Sequence, residues 1–114
     1  MRRRDAEFAL QSEDALTVNR ALVSIALFEP DWRWVQAQCI RLSSHSEPDI
    51  RSVSATCLGH LARIHGMIDR HEVEAVLHRL MRDSALSVRG DASDALDEVQ
   101  LFVGRAESLD PKTL

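Results

Sequence analysis

Sliding the sequence against itself by 38 residues places Val35 on Val73, Ala37 on Ala75, Arg41 on Arg79, Leu42 on Leu80, Ile50 on Val88, Arg51 on Arg89 and Leu58 on Leu96. Self-similarity at a fixed period constrains a fold more than any single element does. Each copy must take up the same local structure and then bury its apolar side against a neighbour. Inside the copies the apolar residues recur every three or four positions, the period of a helix face. Two helices in a period of about 40 residues predict stacked helical hairpins. The expected fold is all-α, a short α-solenoid.

Five helices follow. Ser12 is a candidate cap, and Ala15, Val18, Leu22, Ile25 and Ala26 form the first apolar face, which Glu29-Pro30 ends. Asp31 caps a second helix striped by Trp32, Val35, Cys39 and Leu42. Pro48 suits the first turn of a third, in which Ile50, Val53, Cys57, Leu61 and Ile64 repeat until Gly66. Asp69-Arg70-His71-Glu72 reads as a capping box for a fourth, with Val73, Leu77 and Leu80 turned inward. From Ser87 onward, Val88, Ala92, Ala95, Leu96, Val99 and Val103 mark a fifth, which Gly104 terminates. The first helix then caps two hairpins. The expected core comprises Val35, Cys39, Leu42, Val53, Cys57, Leu61, Val73, Leu77, Leu80, Leu96 and Val99. Residues 1–114 read as one domain, with 1–11 and 105–114 frayed.

Composition narrows the class. With 45% hydrophobic and 28% charged residues the chain has material for a core, and four Gly, three Pro and no Tyr leave little for the turns of a β-sandwich. The longest apolar run, Ala21 to Phe28, is far short of a membrane span. Arg2-Arg3-Arg4 is followed by a stretch too polar for a secretion signal, so a cytoplasmic location is expected. Cys39 and Cys57 lie in apolar helical surroundings and read as buried, reduced thiols rather than a disulfide or a zinc site.

No constellation of residues points to catalysis. There is no glycine-rich loop after a strand, and neither Cys sits in a thiol-enzyme motif, so an enzyme is not expected. His71, Glu74 and His78 share a helix face, but residues at i and i+7 stand about 10 Å apart and cannot both reach one ion. They read as a solvated polar face, and neither a metal nor another cofactor is expected. His60 reads as a hydrogen-bonded helix-surface imidazole, and His65 suits a helix C-terminus. Thirteen of the fourteen basic residues are Arg, yet they alternate with acids, and the net charge is -4. That balance argues against nucleic acid as a partner and makes the Arg2-Arg3-Arg4 run a solvated terminus.

Two features mark candidate binding surfaces. Trp32 and Trp34 flank Arg33 and cannot both lie in one narrow core stripe, because adjacent helix residues are about 100° apart. Trp34 either seals the first helix against the second or stands partly exposed as an aromatic anchor beside Arg33. On the fifth helix, Asp91, Asp94 and Glu98 form an acidic ladder with Asp97 alongside and no intervening cation. Such like charges either form an ordinary solvated face or serve a basic partner that offsets their repulsion.

Asp83-Ser84-Ala85-Leu86-Ser87-Val88-Arg89 with Ala92 and Leu96, and Ser46-Glu47-Pro48-Asp49-Ile50-Arg51 with Ala55, Leu58 and Gly59, resemble the turn and second helix of HEAT-like repeats. The resemblance spans roughly Asp31 to Val103. It implies that Arg51 and Arg89 are structural turn residues, each braced by an acidic partner. Asp83 is that partner in the second copy, so that Arg89 is expected to interact with Asp83 or the carbonyls around it, and His45 stands in the acid's place in the first. Asp31-Trp32-Arg33-Trp34-Val35-Gln36 and the segment Ala55 to Gly66 are similar to small bacterial HEAT-like proteins. That type resembles the immunity proteins of polymorphic toxin and contact-dependent growth inhibition systems. The function this implies is a non-enzymatic module that occludes a cognate toxin domain, a basic one such as a nuclease. The alternative is a HEAT-like regulatory or scaffolding adaptor for a cellular protein.

Overall fold

The computed structural model describes residues 1–104. They form α1 (Arg3–Leu10), α2 (Ala15–Phe28), α3 (Trp32–Leu42), α4 (Pro48–His65), α5 (Arg70–Leu80) and α6 (Leu86–Val99), then a π-helical turn (Gln100–Gly104). No strand occurs among the described residues. The fifth predicted helix therefore ends at Val99, and the π turn extends it with Val99 and Val103 both buried. Residues 105–114, expected to fray, lie outside the described residues.

The local signals act where they stand. Asp31 accepts the Trp34 N–H at 3.2 Å, Pro48 opens α4, and Gly66 closes it in the left-handed conformation at φ 63°. The cap of α2 is Asp14 rather than Ser12: its carboxylate accepts the Thr17 N–H at 3.1 Å and the Thr17 hydroxyl at 2.6 Å. Ser12 Oγ instead accepts the Asp14 N–H at 3.0 Å. The capping box at Asp69 does not form. Asp69 accepts from Gln36 Nε2 at 2.8 Å and donates its N–H to Gln36 Oε1 at 2.9 Å. Gln36 is buried, and a buried amide left without partners costs more than a helix cap contributes.

The N-terminal residues expected to fray form α1, with Ala6 and Leu10 buried. An isolated eight-residue helix is marginal in water, so docking must hold it. Burial of Ala6 and Leu10 against α2 does this, and Arg3 adds to it by donating to Asp31 at 2.8 Å and Glu29 at 3.3 Å, with its guanidinium stacked 4.4 Å from the Trp34 ring centre. The Arg run is thus in part a clasp rather than a solvated terminus.

α4 lies at the centre, packed against α2, α3 and α6. It buries Ala55, Leu58 and Ala62 as well as the expected Ile50, Cys57 and Leu61, while Val53 is half-buried and Ile64 is 39% exposed. A helix with neighbours on several sides buries more than one stripe, and the predicted stripe was set for a single partner. Cys39 and Cys57 are buried free thiols on α3 and α4, and their mutual hydrogen bond and burial push the Cys39 thiol up.

Polar clasps join the hairpins α3–α4 and α5–α6. Gln36 reaches Asp69, Arg79 donates to Ser43 Oγ at 2.7 Å, and Ser52 and Ser87 hydroxyls meet at 3.3 Å. The contact residues advance together along both pairs, so α3 runs parallel to α5 and α4 to α6. α4 and α6 come closest at Gly59, where an added Cβ would lie 3.1 Å from Ala95 Cα. Gly90, on α6, by contrast has nothing within 4 Å. Gly90→Ala should therefore raise the unfolding free energy by about 0.5–1 kcal/mol through helix propensity. Gly59→Ala should show no such gain because the Ala95 backbone must yield. Urea unfolding of the two variants checks this contrast.

Candidate functional site

The α5–α6 turn carries the most developed polar geometry in the chain. Arg51, from the first turn of α4, donates through Nε to Asp83 Oδ2 at 2.8 Å and through Nη2 to Asp83 Oδ1 at 2.9 Å. Its Nη1 donates to the carbonyls of His45 and Ser46, both at 2.9 Å. Arg89 repeats the carbonyl contacts one period on, donating through Nη1 to the carbonyls of Asp83 at 2.8 Å and Ser84 at 3.3 Å. Arg89 thus meets the carbonyls around Asp83, one of the two contacts expected for it, while the carboxylate that the resemblance assigned to Arg89 serves the Arg of the preceding hairpin. In the first copy the carbonyls of His45 and Ser46 do the bracing of the turn.

The Arg51–Asp83 side chains are only 15% and 12% exposed, so this pair is better shielded than a surface bridge. Arg51, and then the Ala85 N–H, which donates to Asp83 Oδ1 at 2.9 Å, hold the Asp83 carboxyl below the usual carboxylate range. A carboxyl depressed on folding contributes stability that is fully present above about pH 4 and fades as pH falls through its folded value. Asp83→Asn should cost about 2–3 kcal/mol at pH 7. Its deficit relative to the parent should shrink as the pH is lowered from 5 toward 2, as read by denaturant titration at each pH.

The acids of α6 divide. Asp94 and Asp97 are exposed, Asp91 is half-buried, and Glu98 turns toward α4. Glu98 Oε2 lies 3.6 Å from Arg63 Nε, an ion-pair distance too long for a hydrogen bond. Arg63 also donates to His60 Nδ1 at 3.1 Å, and burial, reinforced by the Arg63 charge, lowers the His60 pKa. Glu98 therefore belongs to a charged cluster at the α4–α6 contact and leaves the solvent-facing ladder. Nothing in a single sequence distinguishes its direction from that of Asp94.

Trp34 and Trp32 are both half-buried against the core. Arg3 covers one face of Trp34, and Arg33, itself exposed, stacks 4.6 Å from the Trp32 ring centre. The structure therefore places Trp34 at the α1–α3 seam rather than presenting it as a bare anchor. His71 and His78 are exposed on α5, and Glu74 pairs with Arg70 at 2.8 Å. Among the described residues no cluster of three or more His, Cys, Asp or Glu is placed to hold a metal ion. None of their helices is long and apolar enough to cross a membrane.

The described residues define an all-helical protein in which α3 and α4 are clasped to α5 and α6 by polar contacts. No protein-family model and no curated protein matches the chain. Among solved structures it is similar to a chain in the crystal structure of a CDI complex from Cupriavidus taiwanensis LMG 19424, with 31% identity, coverage of 90% of each chain and a TM-score of 0.79. At that identity and coverage, this chain belongs to the same family as that component of the CDI complex.

Proposed function

We propose that this chain is an immunity protein of a contact-dependent growth inhibition system, a single HEAT-like domain that binds a cognate toxin domain in the cytoplasm and occludes its active site. The observation that carries this reading is the similarity, over 90% of both chains, to a component of a CDI complex. The surface supports it: α6 offers Asp94 and Asp97 to solvent with Asp91 beside them, in a chain of net charge -4. Such a face attracts a basic toxin domain and speeds its encounter. Inhibition by occlusion asks for no catalytic group and no cofactor, only a surface that outlasts the toxin's encounters with its substrate.

Co-expression tests the proposal. Cells producing the toxin domain of a cognate contact-dependent inhibition protein should stop growing, and this chain should restore growth and co-purify with that domain. Growth arrest that persists despite folded chain at equal abundance would overturn it.

A further inference from the structure

The repeat carries an Arg whose counterpart already shows what it binds. Arg51 uses Nη1 for the carbonyls of its own turn and the Nε–Nη2 edge for the carboxylate of Asp83 in the next hairpin. Arg89, 38 residues on, spends Nη1 on the equivalent carbonyls of Asp83 and Ser84. No third hairpin follows α6 among the described residues, and none of their carboxylates lies within ion-pair distance of Arg89.

The face around Arg89 is that of an unfilled stacking position. Ser52, Gly59 and Arg63 are the residues through which α4 meets α6, at Ser87, Ala95 and Glu98. Their counterparts one period later are Gly90, Asp97 and Leu101, and all three are exposed. Leu86 beside them is 76% exposed. The C-terminal end of α5, which leads into the turn, is basic: Arg82 is exposed, and a groove of about 790 Å³ is lined there by His78, Arg79, Met81 and Arg82. An acidic group is what that end attracts.

We propose that the toxin domain docks on the open side of α6 as a third hairpin would, placing an Asp or Glu carboxylate in the Nε–Nη2 fork of Arg89. This rests on the immunity reading above and adds the recognition chemistry: a bidentate carboxylate at the turn end, with a basic group of the toxin toward Asp97. Arg is suited to the first contact because its planar fork matches both carboxylate oxygens, and Lys offers only a point charge.

The test uses the full chain and the purified C-terminal toxin region, with dissociation constants measured by titration calorimetry. Arg89→Lys should weaken binding about tenfold or more while shifting the melting temperature by less than about 3 °C. Gly90→Trp, which leaves the carbonyl contacts of Arg89 alone, should weaken it as well by filling the stacking position. Replacing the toxin carboxylate with its amide (Asp→Asn or Glu→Gln) should weaken binding at least as much as Arg89→Lys, and the losses should be less than additive when the two are combined. Wild-type affinity in both Arg89→Lys and Gly90→Trp would overturn the docking mode. If an Asp91, Asp94, Asp97→Lys triple variant still lost binding in that case, the immunity reading would stand without it. Tighter binding by a chain ending at Gly104 would name Glu107 or Asp110 of the chain itself as the occupant of the fork and overturn the assignment to the toxin.

Discussion

Leu61→Ala should lower the unfolding free energy by about 2–5 kcal/mol, the cost of removing a buried Leu side chain and leaving a cavity its neighbours fill only in part. Leu61 is fully buried on the central helix α4, which α2, α3 and α6 hold from different sides. Little freedom remains for those helices to collapse into the space, which favours the upper half of the range. Ile64, three residues on, lies on the same predicted stripe but is 39% exposed, and Ile64→Ala should cost less than about 1 kcal/mol. Chemical denaturation of the two variants measures the difference directly. Equal losses would mean that α4 is rotated from the orientation described here.

Reversing Asp91, Asp94 and Asp97 together to Lys should slow association with the toxin domain by about 10–100-fold at low ionic strength, with the effect shrinking as salt is added. Folding should be unharmed, because Asp94 and Asp97 are exposed and their mutual repulsion is relieved. Glu98 is left out of the variant because it faces Arg63 across the α4–α6 contact, where reversal would set two cations together. Stopped-flow association at two salt concentrations separates this electrostatic contribution from any change in dissociation. An unchanged rate at low salt would remove these acids from the encounter surface.

Most of the helical layout is legible in the chain itself. Periodicity placed five helices and the 38-residue self-similarity paired them, while Asp31, Pro48 and Gly66 punctuated them as local chemistry requires. These signals are readable because a helix face, a cap and a left-handed Gly depend on residues within one or two turns of each other. The acidic residues of α6 were equally visible as a group. Their division into solvent-facing Asp94 and Asp97 and helix-facing Glu98 was not, since both directions satisfy the same spacing.

Partner choice belongs to the tertiary structure. Asp69 has the local signature of a capping box but bonds Gln36, because a buried amide on α3 arrives there only when the hairpins stack. Asp83 is taken by Arg51 rather than Arg89, although Arg89 is nearer in sequence, because Arg89 reaches the turn's carbonyls while α4 brings Arg51 to the carboxylate. α1 is held because Ala6 and Leu10 find the core, with Arg3 adding contacts to Asp31, Glu29 and Trp34 on another part of the chain. Sequence alone determined where five of the six helices lie and that two pairs of them share a sequence period, since those follow from short-range geometry. Only the packed fold decided which charged groups pair across helices and which are left facing solvent, since that depends on distances set by contacts tens of residues apart.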